Sequence, residues 1–372
     1  MFFEKSHALK LVEEGLERVQ EFNYKLYKNE LYQLSRNKLI KKLSKYKYII
    51  NKFLSILDLY IMRKSTYEEL SNRSYDKIGK WSSIGTLQLT LKFPERYDEI
   101  YEIFSDEESK STFDWFLKYR VAYAFLGDLS GKIFSPPLIK EKLDEIIKHL
   151  KVGKHGNLIK IGGYYLNTEV LPAVQAWVLN QYELIGKCEV SPGSYVIDGG
   201  AYKGETSFWF LSKGAEKIYS FEPDSNCFSL LSENIKRNRV PDKIIPIKKA
   251  LSNKVGIISF IATGVGASKL DAECKSQENI EAVTLDSFVK KEGLPRVDFI
   301  KLDVEGAELE VLEGAVESIK KFRPKMAISV YHKPEDIITI PKFILKLIPS
   351  AKLYLSHKFY SLYETILFVD PK

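Results

Sequence analysis

Ser194-Tyr195-Val196-Ile197-Asp198-Gly199-Gly200-Ala201-Tyr202-Lys203-Gly204-Glu205-Thr206 decides how this chain is read. A short β-rich apolar run ends in a carboxylate, and glycines at 199, 200 and 204 then open a helix, the order of a buried strand turning tightly into a crossover helix. Glycine has no side chain and tolerates positive φ, so such a turn lets a ligand approach the backbone closely. A fixed negative charge at Asp198 stands where a diphosphate-binding turn places its first glycine. The ligand suited to that field is a nucleoside that is neutral or cationic near the turn.

Working outward, the chain after about residue 166 alternates strands and helices with short loops, the pattern of a parallel α/β sheet. Predicted strands are Tyr195–Asp198, Ile218–Glu222, Ile244–Ile247, Ile257–Ile261, Val297–Asp303, Met326–Val330, Leu353–Ser356 and Thr365–Val369. Predicted helices are Val170–Leu184, Thr206–Lys213, Ser225–Asn238, Leu285–Lys291, Ala307–Phe322 and Glu335–Leu347. The last two strands are too close in sequence for a crossover helix and should pair antiparallel. The fold class expected is α/β: a doubly wound, mostly parallel seven-stranded Rossmann-like sheet with an antiparallel C-terminal strand, preceded by a mainly helical N-terminal domain. Boundaries are expected at 1–165 and 166–372, because glycines and the Pro136-Pro137 pair punctuate the chain between Leu126 and Tyr165.

Three further segments carry chemistry. Ile218-Tyr219-Ser220-Phe221-Glu222-Pro223 ends a strand in a carboxylate 24 positions after Asp198, placed to accept both hydroxyls of a ribose. Ala250 and Leu251, following a strand, are candidates to line an adenine slot. In Phe299-Ile300-Lys301-Leu302-Asp303-Val304-Glu305-Gly306-Ala307-Glu308, alternation sets Lys301 and Asp303 on one side of a strand, with Glu305 just past its end. His332, in Tyr331-His332-Lys333, follows the next strand and could take a proton near neutral pH. Thr206 is expected to cap the helix that follows the glycine turn. The expected ligand is S-adenosylmethionine, a sulfonium carrying an ammonium and no phosphate.

Together these motifs resemble the FkbM family of methyltransferases. The resemblance rests on Val196 to Gly204, Phe221-Glu222-Pro223 and Ile300 to Glu308, and it extends over roughly Val196 to Val369. Upstream, Ser105 to Lys110 with Tyr119-Arg120 resembles the lead-in of longer members, while Tyr331-His332 stands where a carboxylate is often found. It implies S-adenosylmethionine as cofactor, bound by Asp198, Gly199, Gly200, Ala201, Tyr202, Gly204, Thr206, Glu222, Pro223, Ala250, Leu251 and Asp303, and methyl transfer to a hydroxyl of a sugar, glycan or related natural product. Catalytic candidates are Asp303, Glu305, His332 and Lys301. A divalent cation is admissible, but no ligand cluster in the sequence calls for one. The competing readings are a nicotinamide oxidoreductase, which the acidic start of the turn disfavours, and a non-catalytic scaffold with a degenerate fold.

Composition sets the frame. The chain has 45% hydrophobic and 28% charged residues, as in globular proteins. Cys188, Cys227 and Cys274 show neither metal-ligand spacing nor an even disulfide set, and are expected as packed thiols in a reducing compartment. No leader pattern is visible, so a cytoplasmic location is expected. The apolar run Tyr48–Met62 is roughly 15 residues and charged, shorter than the ~20 of a membrane span. Of the net charge of +7, all falls before Thr66, where 14 basic residues face 7 acidic ones. That excess leaves room for peripheral contact with an anionic membrane through the basic N-terminal helices, and nucleic acid is not expected. Leu9, Val12, Leu16, Val19 and Leu26 predict one helix with a single apolar stripe, suited to its own domain or to a homo-oligomer.

Overall fold

The computed structural model describes residues 6–34, 77–149, 153–155, 158–262 and 276–372. Tyr48–Met62 and Cys274 lie outside them. The chain divides into two compact units, Met1–Glu99 with Phe113–Pro136, and Ile100–Thr112 with Pro137–Lys372.

The first unit is helical. Helix α1 spans His7–Leu34, α2 Lys77–Lys92 and α3 Pro94–Ile103, and α4 covers Glu107–Leu126 with a 3-10 turn at Gly127–Lys132. The predicted stripe of α1 is rotated: Ala8, Leu11, Val12, Gly15 and Val19 are buried, while Leu9 and Leu16 are only half-buried. The cause is a close crossing with α4. A Cβ at Gly15 would come within 2.8 Å of Val121 Cγ1, so small residues rather than large ones mark the contact face. Lys118 to Glu14 at 3.3 Å and His7 to Asp114 at 2.9 Å flank that crossing.

The second unit holds the sheet. Helix α5 (Lys140–His149) precedes a small antiparallel sheet, β1 (Gly153–His155), β2 (Leu158–Ile161) and β3 (Tyr164–Leu166), and then α6 (Val170–Trp177). The alternating core follows as β4 (Tyr195–Gly199), α7 (Glu205–Ser212), β5 (Lys217–Phe221), α8 (Ser225–Arg237), β6 (Ile244–Ile247), β7 (Ala250–Leu251), β8 (Gly256–Ala262), β9 (Ser276–Val283) and α9 (Leu285–Glu292). It ends with β10 (Phe299–Leu302), α10 (Glu308–Glu313), α11 (Val316–Phe322), β11 (Lys325–Ser329), α12 (Asp336–Leu347), β12 (Lys352–His357) and β13 (Thr365–Asp370). The seven-stranded sheet has the order β12-β13-β11-β10-β4-β5-β6. Every neighbouring pair from β11 to β6 is parallel, whereas β13 runs antiparallel to both β11 and β12. The antiparallel C-terminal pair is as expected. Chain reversal at β10/β4 places their carboxyl ends at the switch point, where ligands of doubly wound sheets bind.

Three predicted elements differ. Ile257–Ile261 does not join the main sheet; as β8 it pairs with β9 in a separate sheet of order β7-β9-β8. The helix predicted over Val170–Leu184 stops at Trp177, and Asn180 takes a left-handed φ of 46° that turns the chain toward the sheet. Ala307–Phe322 is two helices. Gly314 gives its carbonyl to Asp286 N, and the Asp286 carboxylate accepts the amides of Glu317 and Ser318, starting α11 afresh.

The main core lies between α7 and the sheet, with Phe208, Trp209 and Phe210 packed among Val196, Ile218, Phe299 and Phe368. Asn234 and Asn238 of α8 bind the backbone of β3 and its exit: Asn238 pairs with Tyr165, and Asn234 accepts from Asn167 N at 2.7 Å while donating to the Lys203 carbonyl at 2.8 Å. The small sheet is thereby tied to the glycine turn. Cys188 and Cys227 are buried free thiols, and burial pushes the Cys188 thiol up to about 12.

Candidate active site

The turn after β4 is built from inside. Asp198 is fully buried, and its Oδ2 accepts from Thr206 Oγ1 at 2.7 Å and Ser207 Oγ at 2.6 Å. Thr206 therefore does not cap α7 as expected; Gly204 is the N-cap residue, with φ 99°, and the threonine hydroxyl is turned back to the strand. Lys301 Nζ stands 3.3 Å from Asp198 Oδ1 and donates to the carbonyls of Gly199 at 3.1 Å and Gly200 at 2.7 Å. The ammonium is itself buried, so one charge pair and two carbonyls fix the turn against β10.

The glycines answer to the protein's own packing. A Cβ on Gly200 would stand 1.9 Å from the Asp303 carbonyl oxygen, and one on Gly199 would stand 2.9 Å from Leu302 Cδ2. Leu251 packs on the same glycine, and Ala250 and Leu251 are both buried as strand β7. Ala201 is buried beside them, and Tyr202 takes φ 51°.

Glu222 reaches back to the same turn. Its Oε2 accepts from Tyr202 N and its Oε1 from Asp224 N, each at 2.8 Å. Each oxygen keeps a further lone pair. Burial pushes this carboxyl up to about 8. Pro223 ends the strand segment, and Asp224 caps α8 through the amides of Asn226 and Cys227, both at 2.9 Å. Lys203 joins Glu169 at 2.5 Å, and Glu205, whose carboxyl burial pushes up to about 8, accepts from Thr168 Oγ1.

The turn after β10 faces this one. Asp303 receives three hydroxyl groups: Tyr182 at 2.7 Å on Oδ2, and Ser329 at 2.9 Å and Tyr331 at 3.0 Å on Oδ1. Burial pushes its carboxyl up, but the charges of Lys301 and His332 and the hydroxyl donors outweigh that and hold it below the usual carboxylate range. The side chain stays 21% exposed, which leaves an ionised, oriented carboxylate open to a ligand.

His332 sits among carboxylates. Its Nδ1 lies 3.0 Å from Glu308 Oε1, out of line for a hydrogen bond, and its Nε2 lies 3.4 Å from Glu305 Oε2 and 3.7 Å from Asp303 Oδ1. Glu308 Oε1 also accepts from Val304 N at 2.9 Å, shaping the loop in which Glu305 takes φ 57°. Burial pushes the imidazole down, yet Glu308 and Glu305 raise it well above its ordinary value. His332 therefore holds its proton at neutral pH. Its contribution to stability is full below the unfolded value near 6.5 and is lost as pH rises through the folded value. His332→Gln is expected to flatten the alkaline fall of the urea-unfolding midpoint, and an unchanged profile would refute the ion pairing. Asp303, Glu308 and His332 each place one ligand atom within 4.8 Å of the others, so a divalent cation there would have to displace the His332 proton.

Sequence reasoning missed four contributors. Tyr182 and Gln181 lie just past α6, Ser329 ends β11, and Glu364 precedes β13 with φ 74°. Gln181 donates to Glu364, whose carboxyl is pushed up to about 8 by burial and by Asp303. The only available signals were a glutamate just before a terminal strand and an aromatic residue in a stretch that reads as helix.

Sheet order and the paired turns after β4 and β10 define a doubly wound, Rossmann-like fold with its crevice at the switch point. Residues 198–355 match the model of the methyltransferase FkbM domain. It is 32% identical over 139 residues to the hexuronic acid methyltransferase AglP of Haloferax volcanii, covering 37% of this chain and 54% of that protein. It is 26% identical over 152 residues to the 2-O-methyltransferase NoeI of Sinorhizobium fredii, covering 36% and 61%. The chain thus spans little more than half the length of these relatives. The crystal structure of an FkbM methyltransferase from Methylobacillus flagellatus KT has the same fold, with TM-score 0.50, 18% identity and coverage of 76% of this chain and 60% of that one.

Proposed function

We propose that the chain is an S-adenosylmethionine-dependent O-methyltransferase acting on a hydroxyl of a sugar, glycan or related natural product. The observation that carries this reading is Asp303, a partly exposed carboxylate kept ionised by the charges of Lys301 and His332 and oriented by three hydroxyl donors, beside the turn that Asp198 and Lys301 fix. The names of the relatives, a hexuronic acid methyltransferase and a 2-O-methyltransferase, favour a sugar hydroxyl.

The residues present suit the cofactor. Glu222 offers two oxygens matched to a vicinal diol, while Asp198, whose Oδ1 already faces the Lys301 ammonium, acts through the turn it fixes. Gly199, Gly200, Ala201, Tyr202, Gly204 and Pro223 form the adjoining backbone, with Ala250 and Leu251 behind it. When bound, S-adenosylmethionine supplies an electrophilic methyl on a sulfonium.

The chain's own part is orientation and proton handling. Asp303 orients the acceptor hydroxyl and accepts its proton as the methyl bond forms, worth roughly 10²-fold, the lower end for a positioned base, because a carboxylate held below its usual range is a weak one. His332, already protonated, holds Asp303 and Glu305 in place by charge instead of acting as base. Lys301 is a positioning residue. Glu305, 54% exposed, and Glu364 with Gln181 stand ready to hydrogen-bond other hydroxyls of the acceptor. The helical first unit is proposed to cover the acceptor or to mediate oligomerisation.

The test joins binding and turnover. Glu222→Gln is expected to weaken S-adenosylmethionine binding about 10-fold by titration calorimetry, because the amide replaces one of the two oxygens that meet the diol with a nitrogen. Wild-type protein is expected to release S-adenosylhomocysteine with one cell-envelope glycan fraction. Unchanged titration in the variant, or no binding by the wild type, would overturn the assignment.

A further inference from the structure

Between α6 and β4, Gln181, Tyr182 and Glu183 are buried although they lie outside helix and strand. Neither a helical turn nor a ladder holds such a stretch, so its place depends on the bonds its own groups make. Tyr182 donates to Asp303 at 2.7 Å, Gln181 donates to Glu364, and Glu183 pairs with Lys213 at the end of α7 at 2.6 Å.

The main chain of this bend is held by one further side chain. Lys358 Nζ donates to the carbonyl of Asn180 at 2.8 Å and to that of Glu183 at 2.7 Å, so a single ammonium grips both ends of the buried stretch. Asn180, left-handed with φ 46°, opens the bend, and the Glu183 amide closes it on the Asn180 carbonyl at 3.2 Å. Burial pulls the Lys358 ammonium below its usual range, and the two carbonyls supply acceptors that burial takes from water.

Lys358 belongs to the connection between β12 and β13, residues 358–364, which also carries Glu364. The connection is anchored at its neck: the His357 ring meets Thr365 Oγ1 at 2.9 Å and the Phe359 carbonyl at 3.1 Å, and Phe359 shares an apolar cluster with Val174 of α6. Tyr363 stands edge-on to Tyr331, with ring centres 5.8 Å apart. One connection thus supports both tyrosines that donate to Asp303, the first through its bend and the second through its ring.

From this geometry we infer that Lys358 is a positioning residue for methyl transfer, setting the Asn180–Glu183 bend so that Tyr182 keeps its hydroxyl on Asp303. The inference rests on the role proposed for Asp303 and adds a residue that acts through Tyr182, not on the reacting atoms. A methionine at 358 takes the donor from both carbonyls and frees the bend to carry the phenol away from the carboxylate.

Lys358→Met is expected to lower kcat about 10-fold, the cost expected of Tyr182→Phe, with S-adenosylmethionine affinity unchanged by calorimetry. The deciding measurement is the double variant Lys358→Met with Tyr182→Phe under single turnover. If the lysine acts through the tyrosine, the double variant also falls about 10-fold, whereas independent effects would give about 100-fold. Circular dichroism checks the fold, and the same cycle with Lys358→Gln, which keeps one donor, is expected to show a smaller loss with the same overlap. An active wild type with normal kcat in the folded lysine variants, or the full product of the two losses in the double variant, overturns this inference alone. A wild type that binds the cofactor but turns over no glycan fraction overturns the proposed reaction and this inference with it.

Discussion

Asp303→Asn is expected to lower kcat by roughly 10²-fold while S-adenosylmethionine still binds. The substitution keeps shape and removes the charge that Tyr182, Ser329 and Tyr331 converge on. An asparagine would present one nitrogen to hydroxyls arranged to donate, so the network must also rearrange. Tyr182→Phe and Tyr331→Phe remove one donor each and should cost less, about 10-fold apiece, because the remaining donors and Lys301 still hold the carboxylate ionised. Single-turnover rates at saturating cofactor, beside calorimetric binding, separate chemistry from binding. A variant that turns over normally would show that Asp303 serves the turn and not the proton.

Lys301→Met is expected to cost about 3–5 kcal/mol of stability, because Asp198 would be left as a buried charge without its partner. The carbonyls of Gly199 and Gly200 lose their donor in the same step. Thermal unfolding should shift downward by roughly 10 °C or more for a unit of this size. Adding Asp198→Asn should recover part of the loss, since the second change removes the stranded charge. A double-mutant cycle by urea unfolding measures that coupling, and strictly additive effects would exclude it.

Much of the sheet was readable because its signals are local. Asp198, Glu222 and the Lys301–Glu308 stretch each close an apolar strand, and each lies where the carboxyl end of β4, β5 or β10 brings it to the crevice. The purpose of the glycines was less readable. Gly200 invites a reading of ligand approach, yet what excludes a side chain there is the carbonyl of Asp303, about a hundred positions away. Tyr182 and Glu364 were hidden for a related reason: both owe their place to topology, one by the early end of α6 and one by the insertion of β13 between β11 and β12. Their sequences carry no period or motif that reports it. His332 was found by type, but its charge state depends on Glu308 and Glu305, which the fold gathers around it. Strand Ile257–Ile261 has the pattern of a strand and nothing that tells which sheet it joins.

The segment Phe104 to Ser109 gives the sheet its boundary. Ser105 exchanges backbone and side-chain hydrogen bonds with Leu353, at 2.9 and 3.1 Å, and Ser109 Oγ accepts from Leu355 N at 3.0 Å, so β12 meets a partner where an edge strand would otherwise offer bare amides. Lys187 fastens the segment through Asp106 at 2.5 Å. The seven-stranded sheet thus borrows its seal from far upstream. A shortened protein beginning near residue 166 would keep every motif of the site yet present an unpaired strand to its neighbours, a template for sticking to other copies, whereas one beginning near residue 100 would carry its own stopper.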